Sequence, residues 1–447
     1  MANGELRQPA APGATSALWF STFGFTACFA VWTIFSIIGV QIKSELDLSE
    51  TQFGLLVGTP ILTGSLIRVV LGVWADQLGG RRVNLIVMLL ASGATFLLSY
   101  AETYPQFLAA ALGVGIAGGA FAVGVSYVSK FFPRERQGTA LGIFGAGNVG
   151  SAVTKFAAPF VMIAYGWEAV AQGWAVALGV IALVVFFLTR DDPAVIERRR
   201  TGQKAEAAWM QLAPLRDIRV WRFALYYFFV FGAFVALALW LPRYLTGVYG
   251  LGIAAAGMMA AAYSIPGSLF RVFGGWLSDR IGARRVMYLT FVLSLICTFL
   301  LSYPATSYVV EGVRGPIEFR LEIGVVGFTI LVFLLGFAMS LGKAAVYKHI
   351  PVYYPSHVGS VGGLVGMIGG LGGFVLPIVF GMLNDLTGVW TSCFMLLFLL
   401  VGIALIWMHL AVRRMELSRQ PGLAQLPQFP ELAGLEPVGD RRPHPQS

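Results

Sequence analysis

The chain alternates between long apolar stretches and short polar connections along most of its length. Each apolar stretch has about 20 residues or more and almost no charged side chains, so as an α-helix it can cross the roughly 30 Å hydrocarbon core of a bilayer. There are twelve such stretches, at approximately 17–41, 52–76, 83–101, 106–132, 138–163, 168–189, 221–245, 254–279, 286–303, 324–350, 358–384 and 389–412. The pattern predicts an all-α membrane protein with twelve transmembrane helices.

The sequence repeats itself internally. The phrase GSLIRVVLGVWADQLGGRR, from Gly64 to Arg82, returns as GSLFRVFGGWLSDRIGARR, from Gly267 to Arg285, and each copy lies in the second stretch of its half. Such repeats predict two six-helix halves related by pseudo-two-fold symmetry, with a substrate site near the midplane between them. The expected segments are an N-terminal tail at 1–16, bundles at 17–189 and 221–412, a central loop at 190–220 and a disordered tail at 413–447.

Each copy of the phrase contains a loop motif that resembles the one found in the major facilitator superfamily. Its residues are Gly72, Asp76, Gly79, Arg81 and Arg82 in the first half, then Gly275, Asp279, Gly282, Arg284 and Arg285 in the second. The resemblance implies the major facilitator fold. Asp76 and Asp279 are candidate gating residues, because an acid at a helix end can pair with a basic residue or a helix N-terminus and release it on rocking. The alternative is a helix-ending loop with anchoring arginines.

Charge placement sets the expected orientation. Of the 447 residues, 57% are hydrophobic and 12% charged, and the net charge is +9. Most Lys and Arg residues fall in connections on one side, including the run from Arg198 to Arg200. This bias predicts that both termini and the central loop are cytoplasmic. The bilayer is therefore a predicted partner, nucleic acid is not, and a monomer is expected.

Two arginines interrupt the apolar stretches at one depth. Arg68 precedes Asp76, and Arg271 precedes Asp279, by eight residues, or about 12 Å along a helix. An arginine at mid-membrane costs roughly 2.5 to 3.5 kcal/mol on insertion scales. The interiors of the stretches contain no acid to pair with these residues, and they add Lys155 and Lys343. A positive interior needs a counter-charge from outside, so the substrate is predicted to be an anion held by two guanidinium forks.

Aromatic residues near the arginines suggest the shape of that anion. A flat anion can lie between two rings while its edges meet the guanidinium groups. This favours nitrate or nitrite over tetrahedral phosphate and leaves formate and bicarbonate open.

Two stretches are rich in glycine, from Gly142 to Phe160 and from Gly362 to Pro377. The first contains a G-x-G-x-x-G spacing, but it lies inside a predicted transmembrane helix and follows no strand, so no dinucleotide cofactor is predicted. Small residues instead give smooth helix faces on which a neighbour can slide. The gating candidates on these faces are Gly145, Gly147, Gly150, Gly369 and Gly370.

An arginine in the second and eighth stretches, combined with glycine-rich fifth and eleventh stretches, resembles the nitrate/nitrite porter family of the superfamily, which includes bacterial NarK proteins. The resemblance covers the membrane region from Ala17 to about His409 and implies a bacterial inner membrane. It implies two arginines that hold nitrate or nitrite, an amide contact, two rings that bracket the anion and a tyrosine that lines the site. These substrate-binding residues are Arg68, Arg271, Asn148, Phe121, Phe231 and Tyr227.

Lys155 and Lys343 depart from the best-known members and resemble the symporter-type branch, which favours nitrate import coupled to protons. Import against a negative membrane potential costs about 2.3 kcal/mol per charge per 100 mV, so more than one proton must accompany each nitrate. Exchange of nitrate for nitrite is the alternative, because it requires only that the two arginines are never left without a bound anion.

Further alternatives are an organophosphate or other small-anion antiporter and a non-transporting anion receptor. An enzyme is not predicted, because the stretches contain no carboxylate pair, metal-type cluster or nucleophile with a base. No catalytic residue, metal or cofactor is expected. The sequence leaves open whether the protein serves respiration or nitrate assimilation.

Overall fold

The computed structural model describes residues 11–132, 134–191, 193–201, 217–353 and 358–418. Within these residues the chain forms twelve long helical rods, which we number as spans 1 to 12. Several rods are made of consecutive pieces. Spans 1 to 6 are Ala14–Trp32 with Phe35–Glu45, Glu50–Leu78, Gly80–Leu98, Tyr104–Val114 with Gly115–Gly119 and Ala120–Ser129, Arg134–Gly145 with Ala146–Val149 and Gly150–Tyr165, and Trp167–Leu188.

The second six rods follow a short helix, Pro193–Thr201. Spans 7 to 12 are Ile218–Tyr227 with Phe228–Ala233 and Phe234–Tyr249, Ile253–Leu269 with Arg271–Ile281, Ala283–Leu301, Val325–Tyr353, Val358–Thr387, and Ser392–Ser418. Among the described residues, ten rods are long and apolar enough to cross a membrane, and spans 2 and 5 are not among those ten. The predicted helical membrane fold is confirmed.

The arginine-bearing spans pack on the glycine-rich spans of the other half. Span 2 lies along span 11, and span 8 lies along span 5. Their backbones come close: a Cβ at Gly58 would lie 2.8 Å from the Phe374 carbonyl oxygen, and a Cβ at Gly373 would lie 3.0 Å from the Ile61 side chain. Glycine permits such contacts between membrane helices.

Within the described residues, five spans depart from regular α-helix partway along their length. Span 1 breaks after Trp32, and span 8 breaks at Phe270. Spans 4 and 5 contain 3₁₀ turns at Gly115–Gly119 and Ala146–Val149, respectively. Span 7 contains a π turn at Phe228–Ala233. Irregular turns re-aim side chains and free backbone groups, and they are frequent at functional positions. Each of these five adjoins or contains a residue of the site described below.

A two-stranded antiparallel hairpin joins spans 9 and 10. Its strands are β1 (Thr306–Gly312) and β2 (Gly315–Leu321), with Tyr308 opposite Phe319. Gly315 has φ 117°, a conformation that favours glycine at the turn. The segment lies between the predicted helices at 286–303 and 324–350.

Candidate anion site between the two halves

Arg68 is buried in span 2 and is held by backbone acceptors from both halves. Its Nε donates to the Gly118 carbonyl of span 4 at 3.4 Å, and its Nη1 donates to the Gly366 carbonyl of span 11 at 3.1 Å. Aromatic rings surround the guanidinium, with centroids 5.4 Å away in Phe121, 5.5 Å in Trp32 and 5.6 Å in Phe231. These contacts fix the head group and leave part of its donor fork for a ligand.

Arg271 begins the second piece of span 8 and is equally buried. Its Nη1 has no hydrogen-bond partner among the described residues. The group faces the glycine-rich span 5, because a Cβ at Gly145 would lie 2.9 Å from Nη1. Ring centroids of Phe121 and Tyr347 lie 5.9 and 5.8 Å from the guanidinium carbon. A buried guanidinium nitrogen without an acceptor is expensive, so this fork is suited to an anion.

The ring of Phe121 is shared by the two guanidinium groups. Phe231 lies beside Arg68 and stacks on Tyr227, with ring centroids 5.1 Å apart and planes 13° apart. Tyr227 in turn meets Tyr347 edge to face at 5.0 Å. The structure therefore brings five of the six predicted substrate-binding residues into one connected cluster.

Asn148, the sixth residue, lies in the 3₁₀ turn of span 5. Its side chain is fully buried, and both its amide oxygen and its amide nitrogen lack a partner within the described part of the chain. Spans 5 and 8 run antiparallel, with Gly145 against Arg271 and Lys155 against Ser264. Asn148 lies one helical turn from Gly145 in span 5. Because Gly145 faces Arg271, Asn148 lies at nearly the same depth in the bundle as Arg271.

The predicted gating glycines all lie at close contacts. Added Cβ atoms would meet Arg271 at Gly145, Phe25 at Gly147 and the Thr26 carbonyl at Gly150. In span 11 they would meet Tyr227 at Gly369 and, at 3.3 Å, Arg68 Nη1 at Gly370. Glycine is therefore needed where each arginine meets the opposite half.

Lys155 and Lys343 are fully buried near this cluster and have neutral partners. The Lys155 ammonium donates to the Ser151 carbonyl at 3.3 Å, to the Ser151 hydroxyl, and across the halves to the Ser264 hydroxyl at 3.1 Å. Lys343 donates to the Gly267 carbonyl and lies 3.4 Å from the centroid of the Phe234 ring. Among the described side chains, none of these two lysines and two arginines forms an ion pair with a carboxylate.

Of the two loop-motif acids, only Asp279 has a described side chain. It pairs with Lys348 of span 10, in the same half, and both side chains are partly exposed. Asp76 belongs to span 2, but its side chain lies outside what the structure describes. Exposed ion pairs contribute little stability, so a latch at Asp279 would be easy to break.

The halves are tied together at the end of the bundle where span 2 begins, which we call the Glu50 end. The Asp385 carboxylate of span 11 accepts hydrogen bonds from the backbone N–H groups of Glu50 and Thr51 at 3.1 and 2.8 Å. Glu50 also pairs with Arg243 of span 7 and, at 3.5 Å, with Lys43 of span 1. A carboxylate at a helix N-terminus is electrostatically favourable, and these contacts close the Glu50 end between the halves.

Sequence reasoning missed three residues of the cluster: Trp32, Tyr347 and Ser65. Ser65 precedes Arg68 by one helical turn, and its buried hydroxyl has no partner in the described chain. The repeated phrase carries a serine at this place in both copies, which was an available signal. Trp32 and Tyr347 gave no comparable signal, because aromatic residues are common throughout these apolar spans.

Comparison with known proteins identifies the family of this chain. The sequence model of the Major Facilitator Superfamily matches residues 20–310 and 249–441. The chain is 44% identical over 418 residues to a probable nitrate/nitrite antiporter NarK1 of Thermus thermophilus, covering 90% of this chain and 93% of that one. The chain belongs to the NarK-type family of the Major Facilitator Superfamily.

Other relatives of this NarK-type transporter extend the comparison. A nitrite extrusion protein of Bacillus subtilis is 31% identical, over 88% of this chain and 94% of its own length. A bacterial homologue of the human lysosomal transporter Spinster, in an inward-facing and unoccupied conformation, has a similar fold, with a TM-score of 0.70 at 16% identity over 91% of this chain and 98% of that one. The protein is thus a multi-pass membrane transporter and not an enzyme.

Proposed function

We propose that this protein carries nitrate and nitrite across the membrane by alternating access. The observation that carries the proposal is the pair of buried guanidinium groups, one from each half, with the Phe121 ring in contact with both. Relatives named for nitrate or nitrite transport support the same substrates.

The geometry suits a small planar anion. Planar guanidinium forks pair with oxyanions through two parallel hydrogen bonds. Arg271 Nη1 and both atoms of the Asn148 amide lack partners among the described residues, so an anion at this level would satisfy groups that are otherwise orphaned. The surrounding walls are rings and glycine backbone, which leave few polar contacts for a larger organic phosphate.

Each arginine also couples the site to the opposite half. Arg68 of span 2 donates to Gly366 of span 11, and Arg271 of span 8 faces Gly145 of span 5. An anion bound by both forks therefore attracts the halves toward each other, whereas an empty site leaves two like charges facing one another. This difference favours movement of the loaded carrier.

The test is nitrate uptake into proteoliposomes that contain purified protein, with unlabelled competitors outside. We expect nitrite to compete strongly, and formate, bicarbonate and glycerol phosphate to compete weakly. Strong competition by glycerol phosphate would instead support an organophosphate antiporter. Specific nitrate binding without any uptake would support a receptor.

For the coupling mode, we propose proton-coupled nitrate import in which Lys155 takes part. Lys155 bridges the halves through Ser264, so opening of this interface changes the surroundings of its amine and allows its proton to exchange. In the experiment, an inward proton gradient drives nitrate uptake in vesicles without internal nitrite. Lys155→Met should abolish this accumulation while it retains counterflow of nitrate against nitrate.

Exchange is the second candidate, favoured by the name of the Thermus relative as an antiporter. It predicts uptake only into vesicles loaded with nitrite, with or without a proton gradient. Retention of gradient-driven uptake by both Lys155→Met and Lys343→Met would remove the lysines from the coupling mechanism. Arg314→Met, which changes an exposed basic residue at the turn of the hairpin, is the control.

We further propose that both termini and the central loop at 190–220 face the cytoplasm of a bacterial cell. The basic residues of these connections support this orientation through the positive-inside rule. Single cysteines introduced at Glu311 and Glu197 in a variant without native cysteines test it. A membrane-impermeant thiol reagent added to intact cells should label the first and spare the second.

A further inference from the structure

Span 8 breaks immediately before Arg271, the arginine whose guanidinium fork is free. The first piece of the span ends at Leu269, Phe270 lies between the pieces, and Arg271 begins the second piece. Pro266 lies in the last turn of the first piece and has no backbone N–H to donate, which weakens the helix at this place. The direction of the Arg271 side chain therefore depends on the contacts that fix this turn.

A buried lysine of span 10 is hydrogen-bonded to the last turn before the break. The Lys343 side chain is fully buried, and its ammonium donates to the carbonyl of Gly267, four residues before Arg271. In a regular α-helix this carbonyl is the acceptor for the backbone N–H of Arg271. Lys343 thus binds the backbone of span 8 at the turn from which Arg271 projects.

The Lys343 ammonium is enclosed by neutral groups. It lies 3.4 Å from the centroid of the Phe234 ring of span 7, a cation–π contact that is strong where water is excluded. An added Cβ at Gly267 would collide with the same ring, so spans 7 and 8 leave no room for a side chain there. Among the described side chains the ammonium forms no ion pair with a carboxylate. Its position is therefore set by the carbonyl and the ring.

The backbones of spans 8 and 10 touch on both sides of the break. Before it, an added Cβ at Gly336 would collide with the Tyr263 carbonyl, and after it, an added Cβ at Gly274 would lie 2.7 Å from the Leu341 Cα. Span 10 therefore supports both pieces of span 8, and Lys343 adds a hydrogen bond at the turn that precedes the break.

The first half holds its arginine in a different way. Span 2 is one unbroken helix, and the Arg68 head group donates to the Gly118 carbonyl of span 4. Span 10 has the place in the second half that span 4 has in the first, but its lysine binds the backbone of span 8. Arg271 Nη1 remains without a partner among the described residues. Arg68 is thus fixed through its head group, whereas Arg271 is fixed through its backbone and keeps its fork free.

We propose that Lys343 is a positioning residue for the anion: it holds the Gly267 carbonyl, fixes the turn before Arg271 and so aims the free fork of Arg271 at the anion. This inference rests on the proposed nitrate site, and it gives Lys343 a role distinct from the movement of protons. A fork that is already aimed loses less freedom when the anion binds. Loss of the Lys343 hydrogen bond should therefore appear as weaker binding of nitrate.

The first test compares two neutral replacements of Lys343 in nitrate uptake by proteoliposomes. Lys343→Met removes the donor at similar side-chain length, and Lys343→Gln keeps an N–H donor. We expect Lys343→Met to raise the KM for nitrate about tenfold while kcat stays within about twofold, because the interaction is lost from ground state and transition state alike. Lys343→Gln should restore most of the wild-type KM. Ser340→Ala, which changes another buried side chain of span 10 one turn away, is the control and should leave the KM unchanged.

Three results of this comparison would contradict the proposal. An unchanged KM in Lys343→Met would show that the hydrogen bond does not position the fork. Equal increases in Lys343→Met and Lys343→Gln would show that the charge of the lysine acts on the anion and the hydrogen bond does not. Loss of gradient-driven uptake with an unchanged KM for nitrate counterflow would assign Lys343 to proton coupling.

Hydrogen–deuterium exchange of the purified full-length protein without nitrate tests the contact itself. We expect Lys343→Met to exchange about tenfold faster in peptides that cover residues 266–274, while Lys343→Gln and Ser340→Ala exchange like the wild type. Unchanged exchange in the first half shows that the variants are folded. Wild-type exchange of residues 266–274 in Lys343→Met would overturn the proposal. Because this measurement contains no nitrate, a wild-type protein that fails to transport nitrate would count against the proposed function and would not imitate this result.

Discussion

Arg68 and Arg271 occupy matching places in the repeated phrase, but their surroundings differ. Arg68 donates to two backbone carbonyls, one in each half, and three aromatic rings lie within 5.6 Å of its guanidinium carbon. Arg271 has a nitrogen without a partner among the described residues and faces the glycine surface of span 5. Symmetry of sequence has therefore produced one arginine fixed by the protein and one available to a ligand.

The difference indicates that the two arginines have different roles when the Glu50 end is closed. A guanidinium that is already hydrogen-bonded loses little freedom on binding an anion, so Arg68 would be a preorganised part of the proposed site. Arg271 would gain its missing acceptor only when the anion arrives. Binding should consequently depend on both residues, whereas folding should depend mainly on Arg68.

Replacement of either arginine by lysine should have the largest effect. Arg68→Lys and Arg271→Lys keep the charge but lose the fork, and we expect each to reduce nitrate uptake by about 100-fold. Arg68→Lys should also lower the unfolding midpoint by about 2 to 5 °C, because the carbonyls of Gly118 and Gly366 lose their donors. Arg271→Lys should leave the midpoint unchanged.

Arg285→Lys is the control for this pair, because Arg285 follows Arg284 in the repeated phrase and is exposed. Equal destabilisation by the two lysine variants would show that Arg271 is also held by the protein. Near-normal uptake in both would remove the arginines from the site.

Alanine replacement of Gly145 and of Gly370 should show further how the surroundings of the two arginines differ. A Cβ at Gly145 would lie 2.9 Å from Arg271 Nη1 and 3.2 Å from Nε, so Gly145→Ala must displace the fork and should reduce uptake about tenfold. Gly370→Ala meets the rotatable Ser65 hydroxyl first, and Arg68 only at 3.3 Å, so its effect should be smaller. Gly142→Ala and Gly363→Ala add a methyl where nothing lies within 4 Å and serve as matched controls.

Replacement of Phe121 and of Phe231 should weaken nitrate transport to different extents in the same uptake experiment. Phe121 contacts both guanidinium groups and Phe231 contacts Arg68. Because a cation–π contact contributes about 0.5 to 2 kcal/mol, Phe121→Leu should raise the KM for nitrate about tenfold and Phe231→Leu about threefold. The reverse order, measured in the same proteoliposomes, would mean that the anion lies between Phe231 and Arg68 and away from Arg271.

The fold could be predicted from the sequence because hydrophobic length and an internal repeat determine it almost alone. Arg68 and Arg271 could be predicted for a related reason: a charge at mid-membrane is costly and therefore conspicuous. Aromatic members of the cluster carry no such cost in lipid. Nothing in the local pattern indicates that Trp32 and Tyr347 face the arginines, and their positions depend on how the spans cross.

The bends in the helices could not be predicted from the sequence pattern either. The π turn at Phe228–Ala233 and the break before Arg271 follow from packing between spans, and they decide which way Phe231 and Arg271 point. The hairpin of β1 and β2 lies outside any predicted helix, and the alternation of apolar Ile317 and Phe319 with Glu318 in β2 was the available signal.

The serines of the repeated phrase provide the smallest and most specific test. Ser65 has a buried hydroxyl without a partner in the described chain, whereas Ser268 donates its hydroxyl to the Ser264 carbonyl at 2.8 Å. Both precede their arginine by one turn. If the hydroxyl of Ser65 contacts the anion, Ser65→Ala should raise the KM for nitrate about threefold with unchanged kcat, and Ser268→Ala should change neither value. An equal rise in KM in both variants would show that the alanine substitutions act through helix packing, because of these two serines only Ser65 has a hydroxyl without a partner in the described chain.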